Sequence, residues 1–200
     1  MSAPTQTINY FSCHDNDTLW DRFTNSCPDA TDEEKATMTK LASSVVSTSQ
    51  GVPFFLGGEE MCRTKPLANG KLDSNSYNSP DSTNSIKWDT LSDKKYADVF
   101  EYYKGLIKFR KAHPALRLST SEDVKKYVKS VEGLGDNIVG INIKGGQKDE
   151  SAKEMYLLFN ANTDKAKVTI PEGKWKVCIN GQKAEIVRSE ERFSRNAETD

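Results

Sequence analysis

His14, Asp15 and Asn16 set an imidazole, a carboxylate and an amide side by side, directly after the apolar run Asn9-Tyr10-Phe11-Ser12-Cys13. An ionised carboxylate in such a trio accepts hydrogen bonds from neighbouring hydroxyls and favours positive charge that develops beside it. If the run is a strand, the trio lies where the backbone leaves the sheet. In parallel α/β architectures that carboxyl end is where polar chemistry collects. Such strands sit deep inside a domain, and this one begins at Asn9, so further sequence is expected to precede it.

Positioning the trio requires a repeat of strand and helix. Thr31 with Glu34 three residues on reads as a capping box, and Gly51 followed by Pro53 ends the same run. Between them Met38, Leu41, Ala42 and Val45 recur at helical spacing and predict one buried stripe. Residues 52–58, Val-Pro-Phe-Phe-Leu-Gly-Gly, are apolar on both faces, as a covered parallel strand is. Strand, helix, strand in that order predicts a parallel pair joined by a right-handed crossover.

The next carboxylates, Glu59 and Glu60, are adjacent and so point in different directions; they do not make a facing acid and nucleophile. Glu60 with Arg63 reads as a local ion pair that orders the loop, and contact of Arg63 with a ligand is the other reading. Residues 67–89 form a polar, Asn- and Ser-rich loop in which Asn75, Tyr77, Asn78 and Asp81 could line a site, or could belong to an ordinary loop. A second helix is expected over 92–113, with Val99, Tyr103, Leu106, Ile107 and Arg110 on one face and Pro114 closing it. Trp20 and Trp88 are expected to pack.

From Val124 the pattern changes to short alternating runs at 125–131, 138–143, 155–160, 167–170, 175–179 and 184–187, separated by Gly- and Asn-rich turns. That is the signature of an antiparallel sandwich, with Trp175 in its core. The tail, 189–200, has Phe193 as its single large apolar side chain, and is expected to be disordered or non-native, or to leave a closing strand absent.

Composition excludes several classes. With 28 basic and 29 acidic residues well mixed, there is no basic stripe of the kind nucleic acid requires. No apolar run approaches the ~20 residues that span a bilayer, so the chain reads as soluble, with no membrane partner. Cys13, Cys27, Cys62 and Cys178 are widely spaced and read as free thiols. No metal site and no cofactor is expected. Compartment is open between bacterial cytoplasm and secretion.

Four segments, in order, resemble the α-amylase superfamily of glycoside hydrolases (glycoside hydrolase family 13), and within it the type I pullulanases. Residues 10–21 resemble that family's seventh barrel strand. Residues 51–65, Gly-Val-Pro-Phe-Phe-Leu-Gly-Gly-Glu-Glu-Met-Cys-Arg-Thr-Lys, resemble its eighth. Residues 75–88 are similar to the pullulanase loop that follows, and 102–116 to the last barrel helix. The resemblance implies hydrolysis of α-1,6-glucosidic bonds in pullulan, starch or glycogen, with retention, by a carboxylate nucleophile and a carboxylic acid ~5 Å apart. By that likeness Asp15 would be the transition-state stabiliser, and His14 would bind the reactive sugar. Asn16, Arg63 and Asn78 are candidate substrate-binding positions on the chemistry of their own side chains. Asn16 could equally hold the turn.

The expected architecture is α/β plus β: the C-terminal two βα units of a (β/α)8 TIM barrel in residues 1–117, then an antiparallel β-sandwich in 118–188. Nothing in the chain resembles the strands that carry the family's nucleophile and acid, so this stretch alone is expected to be inactive. Its expected partner is an α-glucan, with self-association of the incomplete barrel as a further outcome. A non-catalytic carbohydrate-binding module is the rival from another class, and an isoamylase or glycogen-debranching relative is the rival within the enzymes.

Overall fold

The computed structural model describes residues 3–185. In chain order its regular elements are β1 (Ile8–Asn9), α1 (Leu19–Ser26), α2 (Asp32–Thr48), β2 (Val52–Pro53), α3 (Asp81–Asn84), α4 (Lys94–Ala112), α5 (Ser121–Tyr127), β3 (Val128–Ser130), β4 (Ile138–Lys144) and β5 (Glu154–Asn160). Internal contacts divide the chain into two compact units. One comprises residues 9–46 and 53–103; the other comprises residues 3–8, 47–52 and 104–185.

In the first unit, the starts of α1 and α2 are made by local side-chain chemistry. Thr18 Oγ1 accepts from Asp21 N–H at 3.1 Å and caps α1. At α2 the capping box closes in both directions: Glu34 N–H donates to Thr31 Oγ1 at 3.2 Å, and Thr31 N–H donates to Glu34 Oε2 at 2.7 Å. The core gathers Trp20, Ala36, Cys62, Val99 and Tyr103, with Phe55 and Tyr96 against it. Trp20 meets Tyr96 edge-on at 5.6 Å, and Phe55 meets Tyr103 at 5.2 Å.

The buried stripe of α2 differs from the expected one. Ala36, Thr39, Ala42, Ser43 and Val46 are buried, whereas Met38, Leu41 and Val45 are half-buried. Hydroxyls can take core positions here because they bond within the helix: Thr39 Oγ1 donates to the Lys35 carbonyl at 2.8 Å and Ser44 Oγ to that of Lys40 at 2.8 Å. On α4, Val99 and Tyr103 are buried as expected, Tyr102 joins them, and Trp88 corrects the packing expectation by being 63 % exposed.

Phe54 N–H donates to the Asn9 carbonyl at 2.9 Å, and Val52 N–H to the Thr7 carbonyl at 2.9 Å. The bonds advance together along both strands, the sense of a parallel pair. Regular pairing is shorter than expected, and Val52 and Phe54 are 41 % and 42 % exposed rather than covered. Each strand has a single hydrogen-bonded neighbour in this two-stranded sheet.

The second unit holds a three-stranded antiparallel sheet, β3-β4-β5, with Val128 opposite Ile143, Ile138 opposite Asn160 and Lys144 opposite Glu154. Phe109, Ala115, Leu116, Ile143, Met155 and Leu157 make its core. Leu106 and Arg110 of α4 are buried as expected, but Ile107 is 44 % exposed and Phe109 takes its place inside. The strand expected from Lys125 is corrected: Thr120 accepts from Asp123 N–H at 3.1 Å and starts α5, so β3 begins only at Val128.

Residues 167–170 and 175–179 form no regular strand; an isolated bridge joins Ile179 to Ala184. Among the described residues no second sheet faces the first. Trp175 is half-buried, edge-on to Tyr156 at 5.0 Å, with its indole N–H donating to the Pro171 carbonyl at 2.8 Å. The end of the expected 184–187 strand and the whole 189–200 tail lie outside the described residues.

Candidate functional site

After β1 the chain passes the buried Ser12, which is 2 % exposed, and bends at the His14-Asp15-Asn16 corner. Ser12 Oγ donates to Glu59 Oε2 at 2.5 Å. Glu59 opens a 3-10 turn over Glu59–Met61, entered through Gly58 at φ 93°. A Cβ on Gly58 would meet Arg63 Cδ at 2.8 Å, so glycine suits both the backbone and the space. Tyr103 donates to the other Glu59 oxygen at 2.8 Å. Burial pushes the Glu59 carboxyl above its ordinary range, against the pull of these two donors.

The His14 and Asp15 side chains are 85 % and 70 % exposed, with Nε2 and Oδ1 3.4 Å apart. Asn16 follows at φ 63°, a left-handed conformation that asparagine tolerates and that turns the chain toward α1. Lys65, 2 % exposed, donates its ammonium to the carbonyls of His14 at 2.9 Å and Asn16 at 3.3 Å.

A cleft of about 180 Å³ opens here, and His14, Asp15, Arg63, Lys65, Tyr77 and Asn84 are among the residues that line it. Arg63 donates to the carbonyls of Gly57 and Asn84, while Glu60 accepts from Gly58 N–H at 3.0 Å. The expected Glu60–Arg63 pairing thus gives way to backbone acceptors, which a short loop presents closer at hand. Asn84 Nδ2 in turn donates to the carbonyls of Ser76 at 2.6 Å and Ser79 at 3.0 Å, holding the polar loop against the cleft.

The structure therefore brings His14, Asp15 and Arg63 to one cleft. Asn16 contributes a carbonyl to the corner rather than a side chain to the lining, and Asn78 is exposed beside the cleft in the Ser76–Asn78 turn. Lys65 and Asn84 were not singled out by the sequence. Tyr77, one of the loop residues that could line a site, does border the cleft and is 82 % exposed.

Among the lining residues Asp15 is the one carboxylate. A lone carboxylate with an imidazole, a guanidinium and an exposed phenol ring can bind a polyol through hydroxyls and ring face, but does not form an acid–nucleophile pair. Among the described residues no group of three or more His, Cys, Asp or Glu is placed to hold a metal ion, and no helix is long and apolar enough to cross a membrane. All four cysteines are free thiols.

A family model described as "Pullulanase, all-beta domain" matches residues 124–183. Pullulanase of Bacillus subtilis is 31 % identical over 171 residues, 86 % of this chain and 23 % of its own length. Among solved structures, a pullulanase from Bacillus acidopullulyticus superposes with a TM-score of 0.87 at 36 % identity, over 99 % of this chain and 23 % of that one. A pullulanase from Anoxybacillus sp. LM18-11, solved with maltotetraose, gives 0.77 at 30 % identity over 88 % and 25 %.

These matches make the chain pullulanase-like, similar to a stretch of glycoside hydrolase family 13 enzymes. It spans about a quarter of the length of the relatives it matches.

Proposed function

We propose that this chain is the α-glucan-binding C-terminal portion of a pullulanase-like enzyme, which hydrolyses α-1,6-glucosidic branch links of pullulan, starch or glycogen with retention. In this reading residues 1–117 supply the last two βα units of a (β/α)8 barrel and 118–188 its β-sandwich. Asp15 stabilises positive charge at the anomeric carbon by its fixed negative charge, and His14 donates to a hydroxyl of the same sugar. Arg63 borders the sugar while its guanidinium ties the loop to Gly57 and Asn84.

The observation that carries the reading is the pairing of His14 and Asp15, both open to solvent, in one cleft at the exit of a parallel strand. The single carboxylate in that cleft favours binding without turnover for this chain by itself, because retaining hydrolysis needs two carboxyl groups ~5 Å apart. The nucleophile and the acid would come from the remainder of a chain of the relatives' length.

The test is calorimetric titration with maltotetraose together with release of reducing ends from pullulan, run on the 200-residue chain and on Asp15→Asn. Binding without turnover, weakened in the variant, is the expected result. Turnover that Asp15→Asn abolishes would mean the cleft holds a complete catalytic set. Absence of binding in the unmodified chain would overturn the sugar site.

A further inference from the structure

Among the described residues the largest fully buried side chain is a cation, Lys65, at 2 % exposure. Burying an ammonium is unfavourable unless hydrogen bonds replace its water. Its acceptors are two backbone carbonyls, those of His14 at 2.9 Å and Asn16 at 3.3 Å. Such acceptors do not neutralise the charge; they fix the path of the chain that carries them. The two carbonyls flank Asp15.

The main chain at Lys65 is itself held by the segment that follows the corner. Asp21 is 1 % exposed, and its carboxylate accepts from Lys65 N–H at 2.9 Å and from the Thr64 hydroxyl. Asp21 belongs to α1, whose capping residue Thr18 lies just past Asn16. The bracing is therefore reciprocal: α1 grips the backbone at 64–65, and the side chain from that backbone returns to grip 14 and 16. Further back, Ser12 is fixed to Glu59. Alternate residues 12, 14 and 16 are thus each anchored, while the His14 and Asp15 side chains remain free for a ligand.

We infer that Lys65 is a positioning residue, whose buried ammonium holds the His14 and Asn16 carbonyls so that the His14 and Asp15 side chains face the cleft in one arrangement. The inference rests on the sugar-site reading for its consequence, but not for its geometry. Sites of this kind must be held to within ~0.5 Å to work.

The experiment is nuclear magnetic resonance on the 200-residue chain and on Lys65→Met and Lys65→Gln, with maltotetraose titration and thermal melting in parallel. In the unmodified chain the Lys65 ammonium protons should exchange slowly with water, unlike those of exposed lysines. Lys65→Met should shift or split the 14–16 amide signals and the His14 ring signals, with maltotetraose binding roughly tenfold weaker. Lys65→Gln keeps a donor and should restore the 14–16 signals at least in part.

Fast exchange of the Lys65 ammonium protons would overturn the inference, whether or not the variants fold. Unchanged 14–16 signals in a folded Lys65→Met would do the same. If the unmodified chain binds no maltotetraose, the sugar reading fails while the exchange and amide signals still decide the role of Lys65.

Discussion

Tyr103 donates its hydroxyl to Glu59 over 2.8 Å in the interior of the first unit, where the two residues are 3 % and 5 % exposed. With Ser12 on the other oxygen, one buried carboxylate ties the strand exit to α4 and to the turn after β2. Both donors favour the ionised form, yet burial outweighs them and raises the carboxyl above its ordinary value of 4.5.

A raised carboxyl pKa means that the unfolded chain ionises first as pH increases. The contribution of Glu59 to stability is therefore full below about pH 4.5 and is lost as pH rises through its folded value. Glu59→Gln removes this dependence. Melting curves from pH 4 to 8 should show the unmodified chain losing stability relative to Glu59→Gln as pH rises; a constant gap would contradict the buried-carboxylate account.

Arg110 satisfies the end of α2. Its guanidinium donates to the carbonyls of Ser47 at 2.9 Å, Ser49 at 2.7 Å and Gly51 at 2.7 Å, all within the second unit. A cation there also meets the negative end of the helix dipole. Arg110→Met fills similar space but removes the three donated bonds. Denaturant titration should register a loss of about 2–4 kcal/mol.

Thiol reactivity should separate the cysteines sharply. Burial pushes the Cys62 thiol up to about 12, whereas Cys27 is exposed. At pH 8 an aromatic disulfide reagent should label Cys27 within minutes and leave Cys62 untouched until denaturant is added. Fast labelling of Cys62 in the folded chain would show that the Trp20–Tyr103 cluster opens readily.

Gly105 lies against another stretch of backbone. A Cβ there would sit 1.9 Å from the Ala184 carbonyl oxygen, so Gly105→Ala must displace either α4 or that segment. Overpacking of this kind costs about 1–3 kcal/mol. A melting temperature unchanged by Gly105→Ala would mean that the 184 segment does not pack on α4.

Local patterns in the chain were legible where the chemistry spans a turn or less. The Thr31–Glu34 box is a three-residue relationship, and the alternation that forms β4 and β5 is set by the two-residue repeat of a strand. The start of α5 is written in the sequence too, since Thr120 caps Asp123 N–H, but the β-branched and alternating residues around Val124 carry an equally local strand signal.

The face that α2 buries was not legible in this way. Thr39 and Ser43 look like surface residues until their hydroxyls are seen to bond their own helix, at the Lys35 and Lys40 carbonyls. Lys65 gives no signal at all: a buried lysine and an exposed one are written identically, and its acceptors lie 51 and 49 positions away.

The sequence by itself determined α2, α4, β4 and β5, the resemblance to pullulanases and the corner at His14 and Asp15, because caps, strand periods and short motifs depend on neighbours along the chain. Tertiary structure alone decided which residues share the cleft, that Arg63 turns to backbone carbonyls rather than to Glu60, and that Ser12–Glu59–Tyr103 and Lys65 brace the corner from behind. Those outcomes depend on which distant donors and acceptors are left without water when the core closes, and only the folded chain brings them together.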